Sequence, residues 1–464
     1  MKWFISLSLL FFTSHVLGQN CDCASQLRHV TRYFEENNPA FQKIKENAGS
    51  YKAYSAKVRT LTRKAKREKD EDGCIIYLDS YVGLLKDHHS GIGFNLVRQD
   101  LSTPDLIATF KASDNYRRYK KMVIDTTSLI PILNAKGTAD IEGVYSDGRN
   151  LVFGIISQGK KGRYVGVVLK QNKLLDVGHV LLELTAKPGG SYDITYYIGL
   201  LGFNFQKIFK NQLIENGQMP GLGFSKTTQG ASGERTYEFK TLDDSTNYIR
   251  LNSFDGRLTA ELDSFYAAVD KLIKSKPFLM IDVRNNGGGS ERSYIGLLPY
   301  IYTHPLKIDS ASVWVSPGNI KRYEESSGQH NPELINRMKA APSFTFIPFS
   351  PDTKNTWTLD SSTFFPGKIA LLFNRGTASA AEGLIVYGMQ SDKVITIGEN
   401  SGGYIGYGNV MTAPTPCAKF TVQSTTTRYY EKSKYEFVGI EPMFKVSAEQ
   451  DWIRYARTLL GNQK

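Results

Sequence analysis

The fold class is decided by the stretch FLMIDVRNNGGGS, residues 278–290. Its first half is apolar apart from one aspartate, which predicts a buried β-strand. The glycines at 287–289 allow the following turn to approach another group closely with its backbone N–H groups. A phosphate-binding loop is the rival interpretation, but the Lys-Ser or Lys-Thr ending and the Gly-x-Gly-x-x-Gly pattern are missing. We therefore expect an oxyanion-binding turn at the end of a buried strand.

Strands and helices alternate on both sides of this stretch. Apolar runs of strand length and helical patterns follow one another from about residue 247 onward. This βαβ rhythm is typical of a mostly parallel sheet, so the sequence predicts an α/β core. Residues 303–366 interrupt the rhythm and are expected to form an insertion. The predicted elements are strands at 248–253, 278–283, 369–373 and 394–397, and helices at 258–274, 294–302 and 379–389.

The region before the core divides into two parts. Residues 23–85 carry apolar side chains at three- and four-residue steps, which predicts helices. Between 135 and 235, runs such as GRYVGVVLK at 162–170 indicate a separate β-rich domain. The string GLGF at 221–224 matches the carboxylate-binding loop of PDZ domains, but the core pattern resumes within about twenty residues. That interval is too short for a PDZ fold, so we interpret the match as accidental.

The N-terminus carries a targeting pattern. Lys2 precedes the apolar run 3–12, and small or aliphatic residues end it at 16–18, which predicts a cleavable signal peptide over residues 1–18. The mature chain is therefore expected to be secreted or periplasmic, with no membrane span after cleavage. Lys and Arg outnumber Asp and Glu by 57 to 45, but the surplus is spread, and the basic run 57–69 is closely followed by acidic residues. We interpret that run as a solvated helix face, so nucleic acid is not an expected partner.

Four cysteines, at 21, 23, 74 and 417, are plausible disulfide partners in an oxidising compartment. Cys21 and Cys23 are too close to bridge easily, so each is expected to pair with Cys74 or Cys417, with the connectivity left open. A metal site is not expected, because one C-x-C and two distant cysteines lack zinc-ligand spacing.

A second stretch, FNRGTASAAEG at 373–383, places Ser379 where a buried strand turns into a helix. Free N–H groups and the positive end of the helix dipole meet there, so an attacking alkoxide and the oxyanion it creates are both stabilised. The structural alternative is that Ser379 or Thr377 is only an N-cap.

Three strings together resemble the carboxyl-terminal processing, or tail-specific, serine peptidase family, in its tricorn-core-like branch. They are DVRNNGGG at 282–289, TASAAEG at 377–383 and IGENSGG at 397–403, in matching order and spacing. The resemblance covers about 245–446 and a histidine segment near 79–94. It implies a crotonase/ClpP-like βαβ peptidase core that hydrolyses polypeptides without metal or organic cofactor.

The same resemblance implies the reacting groups. Ser379 is the expected nucleophile, with oxyanion N–H donors from Ala380 and Gly288, and Gly289 as the alternative donor. One branch of the family uses a serine-lysine dyad, but the lysine position of its G-E-x-T-x-G-K string holds Tyr404 here. A phenol is a poor base at neutral pH, so another proton acceptor is needed.

The tricorn-like branch supplies this acceptor as a histidine in a D-x-H-[ST] string, which reads DHHS at 87–90 here. The register selects His89 as general base, with His88 as the alternative. The family's orienting acid precedes a Gly-Val-x-Pro string near the end of the domain. Alignment on Gly439 and Pro442 selects Glu436 for this role, with Glu441 second.

The sequence thus predicts a helical N-terminal segment and an inserted β-rich domain around an α/β peptidase core. The expected function is a serine endopeptidase that forms an acyl-enzyme intermediate on polypeptide substrates. A non-catalytic ligand- or protein-binding module on the same fold is the alternative, and the oligomeric state is left open. The expected boundaries are 1–18 signal peptide, 19–94 helical segment with the histidine loop, 95–240 β-rich domain, 241–448 peptidase core with its insertion, and 449–464 C-terminal helix or tail.

Overall fold

The structure is a computed structural model that describes residues 21–70, 73–137, 139–147, 150–203, 207–214, 217–219, 222–227, 236–326, 331–351, 356–360, 362–447 and 450–462. The predicted signal peptide, 1–18, and Gly221 of the GLGF string lie outside the described residues, as do parts of the predicted insertion and tail. No helix within these ranges is long and apolar enough to span a membrane. The described chain forms two compact units, one from residues up to 95 together with 237 onward, the other from 96–236.

The N-terminal part of the first unit is helical, which confirms the pattern predicted for 23–85. Asp22, Asn38 and Asn47 cap the first three helices, because each side chain accepts a backbone N–H of the first turn. Disulfides join Cys23 to Cys74 and Cys21 to Cys417. The expected link between the N-terminal segment and the rest of the chain is therefore confirmed. The elements are α1 Cys23–Asn37, α2 Pro39–Glu46, α3 Ala48–Ala65, α4 Ile75–Val82 and β1 Gly91–Phe94.

The second unit is built around an eight-stranded antiparallel sheet. The buried side chains of its strands and helices form two apolar clusters, and the larger one includes Tyr145, Phe153 and Leu182. Its helices are α5 Pro104–Ala112, α6 Asp114–Arg117 and α7 Thr126–Asn134. Its strands are β2 Gly143–Ser146, β3 Val152–Ser157, β4 Arg163–Val168, β5 Val180–Ala186, β6 Ser191–Tyr196, β7 Lys207–Leu213, β8 Gln218–Met219 and β9 Phe224–Lys226, in the spatial order β7-β6-β5-β4-β3-β2-β9-β8.

The remainder of the first unit is a mixed α/β fold. Its strands are β10 Tyr237–Thr241, β11 Thr246–Leu251, β12 Phe278–Asp282, β13 Leu306–Lys307, β14 Ala311–Val315, β15 Thr345–Pro348, β16 Thr356–Trp357, β17 Lys368–Phe373, β18 Val394–Gly398, β19 Tyr407–Gly408, β20 Met411–Pro414, β21 Phe420–Ser424, β22 Thr427–Tyr429 and β23 Phe444–Lys445. Its helices are α8 Thr259–Ile273, α9 Leu298–Ile301, α10 Pro317–Glu325, α11 Pro332–Ala340, α12 Ala380–Gly388 and α13 Trp452–Asn462.

A six-stranded sheet in the order β10-β11-β12-β17-β18-β23 carries the expected core. Every neighbouring pair from β11 to β23 is parallel, and only β10 joins antiparallel. The predicted strands of this sheet are confirmed to within two residues. The turns after β12 and β17 meet at the same edge, because the carboxyl ends of adjacent parallel strands lie side by side.

The predicted helix at 294–302 is wrong in its form. Residues Glu291–Leu297 form a 3₁₀ helix, and only Leu298–Ile301 are α-helical. Pro299 explains the break, since it has no N–H to donate to the preceding turn.

Candidate active site

Ser379 occupies a strained turn between β17 and α12. It precedes the first helical residue and has φ 56° and ψ −121°. A non-glycine residue at positive φ costs of order 1–3 kcal/mol and persists only where its surroundings hold it. Two hydrogen bonds hold this turn: the N–H of Ser379 donates to Glu382 at 2.9 Å, and the N–H of Ala378 donates to the Asn286 carbonyl at 2.9 Å.

The glycine turn after β12 lies directly against this serine. A Cβ placed on Gly288 would come within 2.8 Å of the Ser379 Cβ and 2.5 Å of the Ala378 carbonyl oxygen. Only glycine fits there, and its φ of +88° is one that other residues rarely adopt. Asn285 and Asn374 join the two turns by a reciprocal pair of hydrogen bonds, each 2.9 Å long. The two stretches singled out in the sequence therefore form one site.

The backbone N–H groups expected to bind the oxyanion differ in whether they already donate a hydrogen bond. Ala380 is the first residue of α12, so its N–H has no partner within the helix. The N–H of Gly288 instead donates to the side chain of Asn286 at 2.9 Å. In this arrangement Ala380 offers a donor beside the serine, whereas Gly288 would first have to release Asn286. Gly289 follows in the same turn with φ +138°.

His89 is the histidine that meets the serine. Its Nε2 lies 3.1 Å from the Ser379 Oγ, within hydrogen-bond distance. The loop that carries it is fixed by Asp87, whose buried carboxylate accepts the N–H of His89 at 3.0 Å and the hydroxyl of Thr425 at 2.6 Å. Asn38, the cap of α2, also donates to Asp87 at 3.1 Å. The helical N-terminal segment thereby positions the imidazole.

The imidazole of His89 is mostly removed from water. Burial lowers its pKa below histidine's ordinary value, and the positive form of neighbouring His88 acts in the same direction, while the charge of Asp87 opposes the shift. The Nδ1 atom is buried and has no hydrogen-bond partner among the described residues.

Glu436 forms no hydrogen bond with Nδ1 of His89, unlike the orienting bond that the sequence predicts. Its carboxylate accepts the backbone N–H groups of His88 at 2.9 Å, Ile405 at 3.0 Å and Gly406 at 2.7 Å. Burial raises the pKa of this carboxyl, against the effect of the hydrogen bonds from His88 and Gly406. The physical reason for the difference is that backbone donors from two loops surround the carboxylate and fix its direction.

The alternative residues lie elsewhere. The Nδ1 of His88 donates to the carbonyl of Gly403 at 2.8 Å, and its ring packs between those of Tyr404 and Phe437, with centroid distances of 4.2 and 3.5 Å. Glu441 is exposed and pairs with Lys445 at 2.6 Å. Neither alternative is hydrogen bonded to Ser379 or His89.

Glu382 is the residue that sequence reasoning missed. It is fully buried, and its carboxylate accepts four hydrogen bonds, from Ser379 N, Ser401 Oγ, Gly403 N and Tyr404 N at 2.5 to 2.9 Å. A signal was present, because Ser379 and Glu382 have the S-x-x-E spacing of a capping box. Glu382 therefore fixes the turn of Ser379 and the 401–404 loop to one another.

Comparisons with known proteins agree with this geometry. Residues 245–446 match the model of peptidase family S41. No curated protein sequence matches the chain. Among solved structures, mature CPAF is similar at 11% identity over 95% of this chain and 96% of that chain, with a TM-score of 0.50. At this identity the likeness concerns the fold alone.

Two further solved structures have lower TM-scores. The photosystem II D1 C-terminal processing protease has 12% identity over 95% of this chain and 97% of that chain, with a TM-score of 0.38. A peptidase-like protein from Parabacteroides merdae has 19% identity over 49% of this chain and 65% of that chain, with a TM-score of 0.32. The residues that match the peptidase family S41 model, 245–446, include strands β12 and β17, the glycine turn and the serine turn described above.

Proposed function

We propose, on the premise that residues 245–446 belong to peptidase family S41, that this serine peptidase cleaves polypeptides through an acyl-enzyme on Ser379, with His89 as general base and acid. The observation that carries the proposal is the distance of 3.1 Å between His89 Nε2 and Ser379 Oγ. Nucleophile and base within hydrogen-bond reach form the minimal unit of this chemistry.

The proposed reaction follows from the positions of these atoms. Ser379 Oγ attacks the peptide carbonyl while His89 Nε2 takes the hydroxyl proton. The oxyanion that forms is stabilised by the N–H of Ala380 and the positive end of α12. His89 then returns the proton to the leaving amine, and water hydrolyses the acyl-enzyme by the same route in reverse. A neutral imidazole is required at the start, and the burial that lowers the pKa of His89 favours that form.

Glu436 receives a different role from the one first expected. Because its carboxylate is surrounded by the N–H groups of His88, Ile405 and Gly406, we assign it as a positioning residue that holds the loops beside the histidine. Because Nδ1 of His89 has no hydrogen-bond partner among the described residues, a partner that fixes its tautomer would be brought by movement within the site when substrate binds. Catalytic hydrogen bonds are often long or misaligned before substrate binds.

The finer description of the fold and compartment belongs to the same proposal. Five parallel strands, with helix α8 between β11 and β12 and helix α12 between β17 and β18, support a crotonase/ClpP-like core. Two disulfides support a location outside the reducing cytoplasm. With the signal-like residues 1–18, they favour a secreted or periplasmic enzyme.

A binding module on the peptidase fold is the second candidate, and the unpartnered Nδ1 of His89 favours it. Labelling with a fluorophosphonate, together with cleavage of an unfolded polypeptide, separates the two. We expect both signals in the unaltered chain and in Ser264→Ala, an exposed helical serine outside the site, and neither signal in Ser379→Ala. Cleavage that persists in Ser379→Ala would overturn the assignment of the nucleophile, and absence of both signals in the unaltered chain would favour the binding module.

A further inference from the structure

The β-rich unit contains a cavity of about 740 Å³ that is separate from the residues of the proposed active site. All of its lining residues belong to the unit formed by 96–236. Its volume falls in the range of pockets that enclose small ligands, about 300–1,000 Å³. None of the residues assigned to the proposed peptidase reaction lines it.

The floor and walls of the cavity are apolar. Leu151, Leu174, Tyr196 and Phe224 line it and are themselves 4 to 9% exposed, so they are fixed in the core of the unit. Further apolar side chains line it while only half-buried: Leu101, Ile107, Leu201, Phe203 and Leu222. Covering these side chains with a hydrocarbon would remove their apolar surface from water, which favours binding.

The rim of the cavity is basic. Arg98, Lys170 and Lys173 line it, and all three are exposed. The guanidinium of Arg98 lies 5.7 Å from the centre of the Phe203 ring and donates to the carbonyl of Leu201 at 3.2 Å, so its charge is fixed above the apolar wall. One acidic residue, Asp147, also lines the cavity, and one of its oxygens already accepts the Leu151 N–H at 3.0 Å.

Tyr196 adds a neutral donor at the apolar wall. Burial, and secondly the charge of Asp147, raise the pKa of its phenol well above the ordinary range. The hydroxyl therefore stays protonated and can donate to an acceptor. Apolar walls, a basic rim and a neutral hydroxyl together match a ligand with one hydrocarbon part and one small anionic head.

An extended peptide fits this cavity less well. Binding by strand addition needs an unpaired sheet edge, and the strands that line the cavity are internal. Tyr196 lies on β6, between β5 and β7, Phe224 lies on β9, between β2 and β8, and Val152 lies on β3, between β2 and β4. Their backbone groups are engaged in the sheet, so a peptide would bury its own amides without partners.

We propose that this cavity binds a free long-chain fatty acid, with the acyl chain against the apolar wall and the carboxylate at Arg98, Lys170 and Lys173. A neutral lipid would leave the basic rim unused. The proposal is independent of the peptidase reaction and can be tested in the Ser379→Ala variant as well as in the unaltered chain.

The test measures displacement of a fluorescent fatty acid from the full chain. The competitors are palmitate, hexadecanol, hexadecyl phosphate and a peptide that ends in leucine. We expect palmitate to compete at least about tenfold better than hexadecanol, the effect of one charged partner. Lys173→Glu and Lys170→Glu should each weaken the binding of palmitate by about tenfold. Arg163 is an exposed basic residue on β4 that does not line the cavity, so Arg163→Glu should leave palmitate binding unchanged.

Ile107→Trp provides a second, independent variant, because the larger side chain occupies the space of the ligand. It should abolish palmitate binding while thermal unfolding of the protein stays cooperative. Equal competition by hexadecanol, or no binding in the unaltered chain, would overturn the proposal. Preferred binding of hexadecyl phosphate would instead assign the cavity to phosphate-headed lipids, and displacement only by the peptide would make it a peptide-tail site; both outcomes contradict a fatty-acid site.

Discussion

The carboxylate of Glu382 accepts a hydrogen bond from the backbone N–H of Ser379 at 2.9 Å, inside the first turn of the helix that follows this serine. The same carboxylate holds the N–H groups of Gly403 and Tyr404 at 2.8 Å each. The carbonyl oxygen of Gly403 in turn accepts a hydrogen bond from Nδ1 of His88. One buried side chain therefore connects the turn of Ser379 to the loop that packs beside the histidine pair.

Glu382→Gln tests this connection. An amide presents one oxygen and one NH₂ group, so at least one backbone N–H would face another donor, which costs about 1–3 kcal/mol. We expect lower stability in urea and a fall in kcat/KM of about a hundredfold, as Ser379 leaves its strained conformation. Glu333→Gln, an exposed helical position, is the matched control. Unchanged kinetics with normal stability would contradict a positioning role for Glu382.

Those parts of the site that depend on neighbouring residues in the chain could be predicted from the sequence, and those that depend on distant residues could not. The strands could be predicted because apolar runs such as 278–283 are expected to be buried in a sheet. Ser379 could be singled out because the glycine turn and the strand-to-helix serine each lie within one contiguous string of residues. The direction of the Glu436 side chain was not predictable. Alignment on Gly439 locates it along the chain, but Phe437, at φ 66°, turns the backbone there, and distant N–H groups of the 405–406 segment capture the carboxylate.

Reduction of the disulfides should destabilise the protein. Cys21–Cys417 spans 396 residues and fixes the N-terminus, while Cys23–Cys74 closes the helical segment. Replacement of either pair by serine should cost about 2–4 kcal/mol of unfolding free energy. Mass spectrometry of the non-reduced protein should find no free thiol. Four free thiols in an active, fully stable preparation would refute this expectation.

Tyr404→Phe should retain most of the activity. The ring of Tyr404 stacks on His88 with centroids 4.2 Å apart, and phenylalanine preserves this packing while it removes the hydroxyl. Tyr404→Ala is the comparison, because it removes the packing as well, and it should be the more damaging change. A loss beyond about a hundredfold in Tyr404→Phe, the low end of a general acid-base contribution, would mean that the hydroxyl transfers a proton.

Glu436→Gln distinguishes a loop-positioning carboxylate from one that orients the imidazole. The amide loses an acceptor for the N–H groups now held by the carboxylate, so we expect kcat/KM to fall by about tenfold or less, with no shift of the pH profile. Loss of a true orienting acid costs about 10⁴-fold, since the histidine adopts the wrong tautomer. Glu441→Gln, exposed and paired with Lys445, should have no effect. A loss near 10⁴ would restore the original assignment of Glu436.

The last prediction concerns His89, because it decides between enzyme and binding module. If His89 is the base, His89→Ala and Ser379→Ala should each lower peptide cleavage by several orders of magnitude, and the double variant should be little worse than either, since nucleophile and base act as one unit.

The base must be neutral, so activity should rise with pH through the pKa of His89. Burial lowers that pKa, and the ascending limb of kcat/KM should therefore lie below histidine's ordinary value of about 6.5. His88→Ala is the comparison. Its ring is bonded to Gly403, so its loss should disturb packing and keep an ascending limb, moved slightly upward because the charge of His88 no longer lowers the pKa of His89. A limb that disappears in His88→Ala and persists in His89→Ala would move the base by one residue, against the contact seen with Ser379.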